Sequence, residues 1–173
     1  MKIISKLKKF ISSPETYARQ IGVNIGERCR FNGHPSWGSE PWLVALGNHV
    51  ELSSYVSFVT HDGGTWVFRH HEKYKDVKRF GLINIKDNCF IGTHSIILPN
   101  VTIGPNSIIG AGSVVTKDVP EGCVYAGVPA HFICSTKDYA EKCLIQTPDY
   151  DKSLYKTNKR KAVLQMLEGQ KLS

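Results

Sequence analysis

The chain has 173 residues and a formal net charge of +7, with 22 Lys and Arg against 15 Asp and Glu. This length is enough for one domain that buries its own core without metals or disulfides. No apolar run approaches the roughly 20 residues that span a bilayer, and we expect no secretion signal at the basic start. Five cysteines, an odd number without a CxxC pair, argue against a disulfide framework and favour a reducing cytoplasm.

A short helical segment is predicted over residues 1–20. Its first part places four apolar residues on one helical face: Ile3, Leu7, Phe10 and Ile11. Residues 2–11 could make a peripheral contact with an anionic membrane, or they could cap the open end of the segment that follows. We favour capping. Ser13 followed by Pro14 is typical of a helix cap and first helical position.

A six-residue repeat dominates residues 21–133. Large aliphatic residues lead the repeats from residue 85 onward: Ile85, Ile91, Ile97, Ile103, Ile109 and Val115. Three positions after each leader stand residues that tolerate a left-handed backbone: Asn88, His94, Asn100, Asn106, Gly112 and Asp118. This period fits a short strand and a tight turn, with the aliphatic side chain pointing inward. Three such units, about 18 residues, would close one turn of a triangular coil.

The same phase appears upstream, at Leu46, Leu52 and Phe58 and more loosely at Ile25 and Phe31. Residues 21–63 therefore predict roughly two coils, interrupted by the irregular stretch NGHPSWGSEPW, and residues 85–120 predict two more. Between them the repeat stops at residues 58–66, FVTHDGGTW. Twenty residues without periodicity inside a compact domain are usually functional or disordered. We predict a loop extruded from the coil over about residues 62–82.

Residues 134–173 are predicted to form a helical tail. Ser135 followed by Asp138 indicates a helix start, and NKRKAVLQMLEGQ is typical of a short basic helix. No recognised nucleic-acid-binding module accompanies the lysines of this tail. We therefore expect no nucleic-acid partner.

Residues 91–130, from IGTHSIILPN to YAGVPA, resemble the hexapeptide-repeat acyltransferases, and the similarity extends over about residues 20–133. The most similar group is the sugar and surface-polysaccharide O-acetyltransferases. The resemblance implies an all-β-dominated fold, a left-handed parallel β-helix, which departs from the usual right-handed crossover. It also implies a homotrimer with acetyl-CoA in the cleft between neighbouring β-helices. The expected activity is acetyl transfer to a saccharide hydroxyl in capsule or lipopolysaccharide biosynthesis. The expected location is the cytoplasm, with a peripheral position at the inner membrane face as the alternative.

His61 is the residue that this resemblance makes catalytic, because the family's catalytic histidine stands at the start of an extruded loop. An imidazole with an ordinary pKa near 6.5 suits a general base that takes the proton of the attacking hydroxyl near neutral pH. The resemblance also implies that the backbone N–H of Thr93 stabilises the charge developing on the thioester carbonyl oxygen.

Further site residues follow from the same resemblance. The coenzyme-binding candidates are Thr93, Ala111, Gly112, Thr116, Lys117 and His131. The acceptor-binding candidates are Asn32, Asp62, Trp66, Arg69 and His94. Five of these have a plain alternative. Lys117 could be an ordinary solvated lysine, and Trp66 could pin the loop to the next subunit. Gly112 and His94 are also acceptable corner residues for backbone reasons alone, and Asp62 could simply fix the loop. His131 and Cys134 stand where the galactoside enzymes carry arginines near the nucleotide.

Three other functions remain open at this stage. An N-acetyltransferase acting on an amino-sugar nucleotide would use the same histidine. A metalloenzyme resembling the γ-class carbonic anhydrases would need three histidines around zinc, and His61 and His94 lack a convincing third, so no metal is expected. A catalytically silent scaffold is the third alternative, and the intact loop argues against it.

Overall fold

The computed structural model of this chain describes residues 12–168. The predicted amphipathic segment 2–11 lies outside the described residues, so its role as a cap or a membrane contact stays a prediction. Helix α1 spans Pro14–Gln20, and Ser13 is its N-cap as predicted. Within residues 12–168, no helix combines the length and apolar character needed to cross a bilayer.

Helix α1 is fastened to the first turn of the coil. Ala18 is fully buried in the hydrophobic core. The Arg19 guanidinium donates hydrogen bonds to the carbonyl oxygens of Ile25 at 2.6 Å and Gly26 at 2.8 Å. The helix therefore covers the first strands with its own side chains, which protects an end where the stacked repeats have no further neighbour.

The coil consists of short strands wound into three parallel sheets. In chain order they are β1 (Asn24–Ile25), β2 (Arg30–Phe31), β3 (Val44–Leu46), β4 (Glu51–Leu52), β5 (Ser57–Phe58), β6 (Ile83–Ile85), β7 (Phe90–Ile91), β8 (Ile96–Ile97), β9 (Val101–Ile103), β10 (Ile108–Ile109), β11 (Val114–Val115), β12 (Cys123–Gly127) and β13 (Ala130–Ser135). The first sheet has the order β1-β3-β6-β9, the second β2-β4-β7-β10-β12-β13, and the third β5-β8-β11. From β1 to β12, successive strands along the chain belong to different sheets, as a β-helix requires.

The repeat positions confirm the predicted inward face. All six leaders are at most 1% exposed: Ile85, Ile91, Ile97, Ile103, Ile109 and Val115. The small residues four positions later are buried as well: Cys89, Ser95, Val101, Ser107, Ser113 and Val119. The buried serine hydroxyls find carbonyl acceptors, as Ser95 does at the Gly110 carbonyl oxygen at 3.1 Å. The core is therefore a stack of aliphatic layers whose few polar atoms are satisfied.

The predicted left-handed corners are present at five of the six positions after Ile85: Asn88, His94, Asn100, Asn106 and Gly112. Asp118 does not adopt a positive φ, and its carboxylate instead accepts the Thr102 backbone N–H at 2.6 Å. Earlier corners put bulky residues in the same conformation, with Arg28 at φ 55° and Tyr55 at φ 61°. The Tyr55 ring stacks on His94 in the next turn with ring centroids 4.7 Å apart.

The second sheet ends in a hairpin that the repeat does not predict. Strand β13 runs antiparallel to β12, and Gly127 pairs with Ala130 at the turn. The chain therefore reverses direction after its last parallel strand instead of starting another coil.

The chain divides into two compact units, residues 1–136 and 137–173. Helix α2 (Thr136–Gln146) joins them, and α3 (Lys152–Thr157) and α4 (Lys159–Met166) follow. The Asp151 carboxylate caps α3, and the Asn158 side chain caps α4. The helices expected near the C-terminus are thus present.

Candidate active site

His61 lies where the chain leaves the coil. It forms an isolated antiparallel bridge with Phe80, three residues after the end of β5. On either side, the Asp62 N–H donates to the Arg79 carbonyl oxygen and the Gly81 N–H donates to the Thr60 carbonyl oxygen, both at 2.9 Å. The departing and returning strands are therefore tied together at the histidine. Residues 62–82 leave and rejoin the coil through this neck.

The ring of His61 is held by a carboxylate that the sequence analysis missed. Its Nδ1 lies 2.9 Å from Glu40 Oε2, and the buried Thr60 hydroxyl donates to the same oxygen at 2.6 Å. The His61 side chain is 42% exposed, whereas that of Glu40 is only 17% exposed. The Thr60 hydroxyl, and after it the His61 ring, hold the pKa of Glu40 below its ordinary value, although partial burial works the other way.

The irregular stretch NGHPSWGSEPW brings Glu40 to this position. Gly38 has φ +71°, and a Cβ placed there would lie 2.7 Å from the Thr60 hydroxyl oxygen and 3.0 Å from the Phe58 carbonyl oxygen. Only glycine accepts both the conformation and the close approach. Directly after Glu40, a short 3-10 helix spans Pro41–Leu43, and the Leu43 N–H donates a hydrogen bond to the Glu40 carbonyl oxygen. Glu40 is the one acidic residue in NGHPSWGSEPW, and this was the sequence signal that could have identified it as a site residue.

A cleft of about 320 Å³ opens beside His61. Its lining combines the neck of the loop with a corner of the coil: His61, Asp62, Arg79, Phe80, Leu98, Pro99, Asn100 and Thr116. The Phe80 ring meets the His61 ring edge-on, with centroids 6.2 Å apart. Arg79 and Asp62 form an ion pair at 3.4 Å, with both side chains largely exposed. The cleft thus has an imidazole at one end and both polar and apolar walls.

Of the predicted acceptor-binding residues, Asp62 lines this cleft and two others lie on the loop. One Asp62 oxygen accepts the Gly64 N–H and caps the 3-10 helix Gly63–Phe68. Arg69 is engaged inside the loop, where its Nε donates to the Val77 carbonyl oxygen at 3.0 Å. Trp66 is 78% exposed. The structure therefore gives Asp62 and Arg69 loop-fixing contacts, whereas Trp66 is open to a partner.

The remaining acceptor candidates, Asn32 and His94, and the coil corner of Thr93 and Gly112 do not line the cleft of the same chain. The Asn32 amide donates to Glu51 on the outer face of the second sheet at 2.9 Å. Thr93 and Gly112 meet at one corner, where the Gly112 N–H donates to the Thr93 carbonyl oxygen at 2.8 Å. His94 belongs to that corner too, stacked on Tyr55.

The coenzyme candidates fall into three places. Thr116 lines the His61 cleft, and Lys117 beside it is exposed. Ala111 is exposed at the corner of Gly112, where a Cβ would meet no heavy atom within 4 Å. His131 is exposed on β13, with its Nδ1 3.3 Å from the Pro129 carbonyl oxygen.

A larger groove, of about 530 Å³, lies on the outer face of the second sheet. Arg28, Arg30, His49 and Phe90 are among its lining residues, and Arg30 is paired with Glu51. Neither His61 nor Glu40 lines this groove. We therefore take the smaller cleft, which contains the histidine, as the candidate active site. Within residues 12–168, no three His, Cys, Asp or Glu side chains are grouped so that they could hold a metal ion.

Comparisons with known proteins agree with this architecture. Residues 83–117 match the family model for the bacterial transferase hexapeptide (six repeats). The stacked six-residue units and the histidine at the loop neck place the molecule in the class of hexapeptide transferases.

Two sequence relatives and one solved structure refine that class. The chain is 47% identical over 161 residues to Protein CapG of Staphylococcus aureus, covering 92% of this chain and 91% of CapG. It is 50% identical over 130 residues to the galactoside O-acetyltransferase of Escherichia coli strain K12, covering 75% of this chain and 62% of that protein. A galactoside acetyltransferase solved in complex with coenzyme A has a TM-score of 0.52 at 28% identity, covering 80% of both chains. The chain belongs to the hexapeptide-repeat acetyltransferase family, a family of enzymes.

Proposed function

We propose that this protein is an acetyl-CoA-dependent O-acetyltransferase that acts on a saccharide hydroxyl in surface-polysaccharide biosynthesis, with His61 as the general base. The observation that carries the proposal is the His61 ring, held by Glu40 at the edge of a cleft at the loop neck. Similarity to the galactoside O-acetyltransferase supports a saccharide acceptor. The surface-polysaccharide part rests on the resemblance of SEPWLVALGNHV to polysaccharide-modifying members of the family.

In this mechanism His61 takes the proton of the acceptor hydroxyl through Nε2, because Nδ1 faces Glu40. The hydroxyl oxygen forms the new ester bond while the bond from the acetyl carbon to sulfur breaks. His61 then gives the proton to the departing thiolate, so that no covalent enzyme intermediate is needed. The ring lies at a neck fixed by backbone hydrogen bonds, which suits a base that must be positioned before the reaction.

Acetyl-CoA supplies the activated acetyl group. The solved galactoside acetyltransferase with coenzyme A supports this donor. The open space at Gly112 leaves room for a narrow chain beside Ala111 and Thr93, whose N–H would stabilise the charge on the carbonyl oxygen. Thr116 and the exposed Lys117 would lie further along, and a lysine ammonium suits a phosphate.

A homotrimer and a left-handed winding of the coil complete the proposal. The Thr93 and Gly112 corner does not line the His61 cleft of its own chain. A site formed by the His61 cleft of one copy and the Thr93 and Gly112 corner of the next copy would bring the base and the proposed coenzyme-binding residues together. We propose that this assembly works in the cytoplasm. Residues 2–11 would cap the coil, or alternatively make a peripheral contact with a membrane that carries lipid-linked glycans.

The function is tested by incubating purified protein with acetyl-CoA and a panel of glycans, and by following thiol release. The panel includes polysaccharide repeat units, simple galactosides and an amino-sugar nucleotide. Acceptor-dependent release is expected with a glycan, and the acetyl group should be removed by mild alkali as an ester is. An alkali-stable product on the amino sugar would instead establish N-acetylation, and no acceptor-dependent release would refute both.

His61→Ala tests the base. It should lower turnover by about 10²- to 10⁴-fold, the range for loss of a positioned general base. His49→Asn is the matched control, because His49 occupies the same repeat position after its own leader and asparagine accepts its left-handed backbone. The control should keep full activity. Near-normal turnover in His61→Ala would remove the role given to this histidine.

A further inference from the structure

A carboxylate from the irregular stretch reaches the ring that the proposed mechanism uses. We infer that Glu40 is the positioning residue of His61: it fixes which ring nitrogen carries the proton and stabilises the imidazolium formed when that ring accepts a second one. The inference rests on the proposed function for its role in catalysis. The contact that carries it is the 2.9 Å separation of His61 Nδ1 and Glu40 Oε2.

The tautomer follows from what a carboxylate can do. An ionised carboxylate has no proton to donate, so Nδ1 must be the donor in this hydrogen bond. A neutral imidazole that carries its proton on Nδ1 presents an unprotonated Nε2. That is the form a general base needs, and a ring without this partner would populate the other tautomer as well.

The carboxylate itself is fixed in place. The Thr60 hydroxyl, fully buried, donates to the same Glu40 oxygen at 2.6 Å. That hydroxyl is the main cause that holds the pKa of Glu40 below its ordinary value, with the His61 ring next. Glu40 is therefore ionised in the neutral range. The close packing of Gly38 and the 3-10 turn that begins at Pro41 define the backbone path on either side of Glu40.

The electrostatic surroundings single out Glu40 among the charges near His61. The charged groups that line the cleft beside His61 are Asp62 and Arg79, which pair with each other at 3.4 Å. Their side chains are 44% and 69% exposed, so solvent screens them. Glu40, at 17% exposed, is more weakly screened and in direct contact with the ring. It is the anion best placed to stabilise a positive charge there.

Glu40→Gln removes the charge and keeps a hydrogen-bond acceptor of the same length. The kcat/KM for acetyl transfer should fall by about 10- to 100-fold, within the contribution of a positioned acid–base group. Glu121→Gln is the matched control, since that carboxylate accepts an amide N–H from Asn106 outside the cleft. It should match the wild type.

A double substitution separates a role through His61 from a general structural role. If Glu40 acts through the ring, His61→Ala combined with Glu40→Gln should be no slower than His61→Ala alone. If the two losses multiplied instead, so that the double variant were slower than His61→Ala by the factor that Glu40→Gln costs alone, the inference would be overturned.

A measurement without turnover keeps this inference separate from the proposed function. The ¹⁵N NMR shifts of the His61 ring in the resting protein, assigned by their loss in His61→Ala, report which nitrogen is protonated. The neutral ring should carry its proton on Nδ1, and Glu40→Ala should shift the population towards Nε2–H. A wild-type ring protonated on Nε2 would overturn the inference even in an active enzyme. A protein with the expected tautomer but no acetyl transfer would refute the proposed function and leave the pairing intact.

Discussion

Residues 83–119 and residues 62–82 are held by different means. In the coil, every sixth side chain is an aliphatic residue buried in the core, and the backbone pairs with the turns on either side. In the loop, Trp66 and Val67 are 78% and 72% exposed, and a few tethers, such as the contact from Arg69 to Val77, hold the path. Many equivalent layers hold the coil, whereas a handful of individual contacts hold the loop.

The candidate base lies on the boundary between these two regions. Thr60 is fully buried and still belongs to the coil, and His61, the next residue, is already in the neck. A base at this point is anchored by the rigid part and exposed by the irregular part, which is how folds commonly position functional residues. Substitutions in the coil should therefore change stability first, and substitutions at the boundary should change stability and activity together.

The largest effect on stability is expected inside the coil. Ile97 is fully buried in the third sheet, so Ile97→Ala should lower the free energy of unfolding by about 2–5 kcal/mol through lost apolar contacts and a cavity. Urea denaturation measures this loss. Ile96→Ala is the matched control, because Ile96 points outward and is 37% exposed. Equal losses for the two would contradict the inward face assigned to the leaders.

A substitution at the boundary should affect both properties. Gly38→Ala places a side chain at φ +71° and within 2.7 Å of the Thr60 hydroxyl. We expect a loss of about 1–3 kcal/mol in unfolding free energy and a fall in kcat, since Glu40 is displaced. Gly63→Ala, in the loop, is the control, because its φ is not positive and a Cβ there meets nothing within 4 Å. A Gly38→Ala protein with normal activity would show that the irregular stretch does not position the site.

The smallest expected effect is on how the free energy of unfolding changes at acidic pH. The folded-state pKa of Glu40 lies below the ordinary value of 4.5, so its ionised form stabilises the fold above that pH. This contribution should fade as the pH falls below about 4.5 and through the folded-state pKa. The difference in unfolding free energy between wild type and Glu40→Gln should therefore be smaller well below pH 4.5 than at neutral pH. Urea titrations at a series of pH values test this. A gap that stays constant into acid would contradict it.

The coil could be predicted from the sequence because its information is local. Ile91 and its five equivalents repeat at a fixed spacing, and each corner residue such as Asn100 can be judged by its own conformational tolerance. His61 could be proposed only through a resemblance, since its spacing alone is also that of an ordinary corner. That role stays a prediction.

The contacts of the site could not be predicted in the same way. Glu40 reaches His61 across 21 positions, through a stretch with no period to fix its path. Tyr55 adopts a left-handed conformation that its residue type disfavours, because stacking neighbours override the local preference. The antiparallel β13 is likewise a departure from the repeat. Long-range packing decided each of these cases.

That final hairpin bears on how such a protein comes to have a definite size. A stack of identical β-helix turns has no intrinsic length, because the last strand of each sheet offers unpaired backbone groups to any molecule that could add a further strand. In this chain β13 is the last strand of the second sheet, and it runs antiparallel to β12. A further parallel strand would meet a strand of opposite direction there. The reversal at Gly127 thus acts as a terminator, limiting growth into fibres.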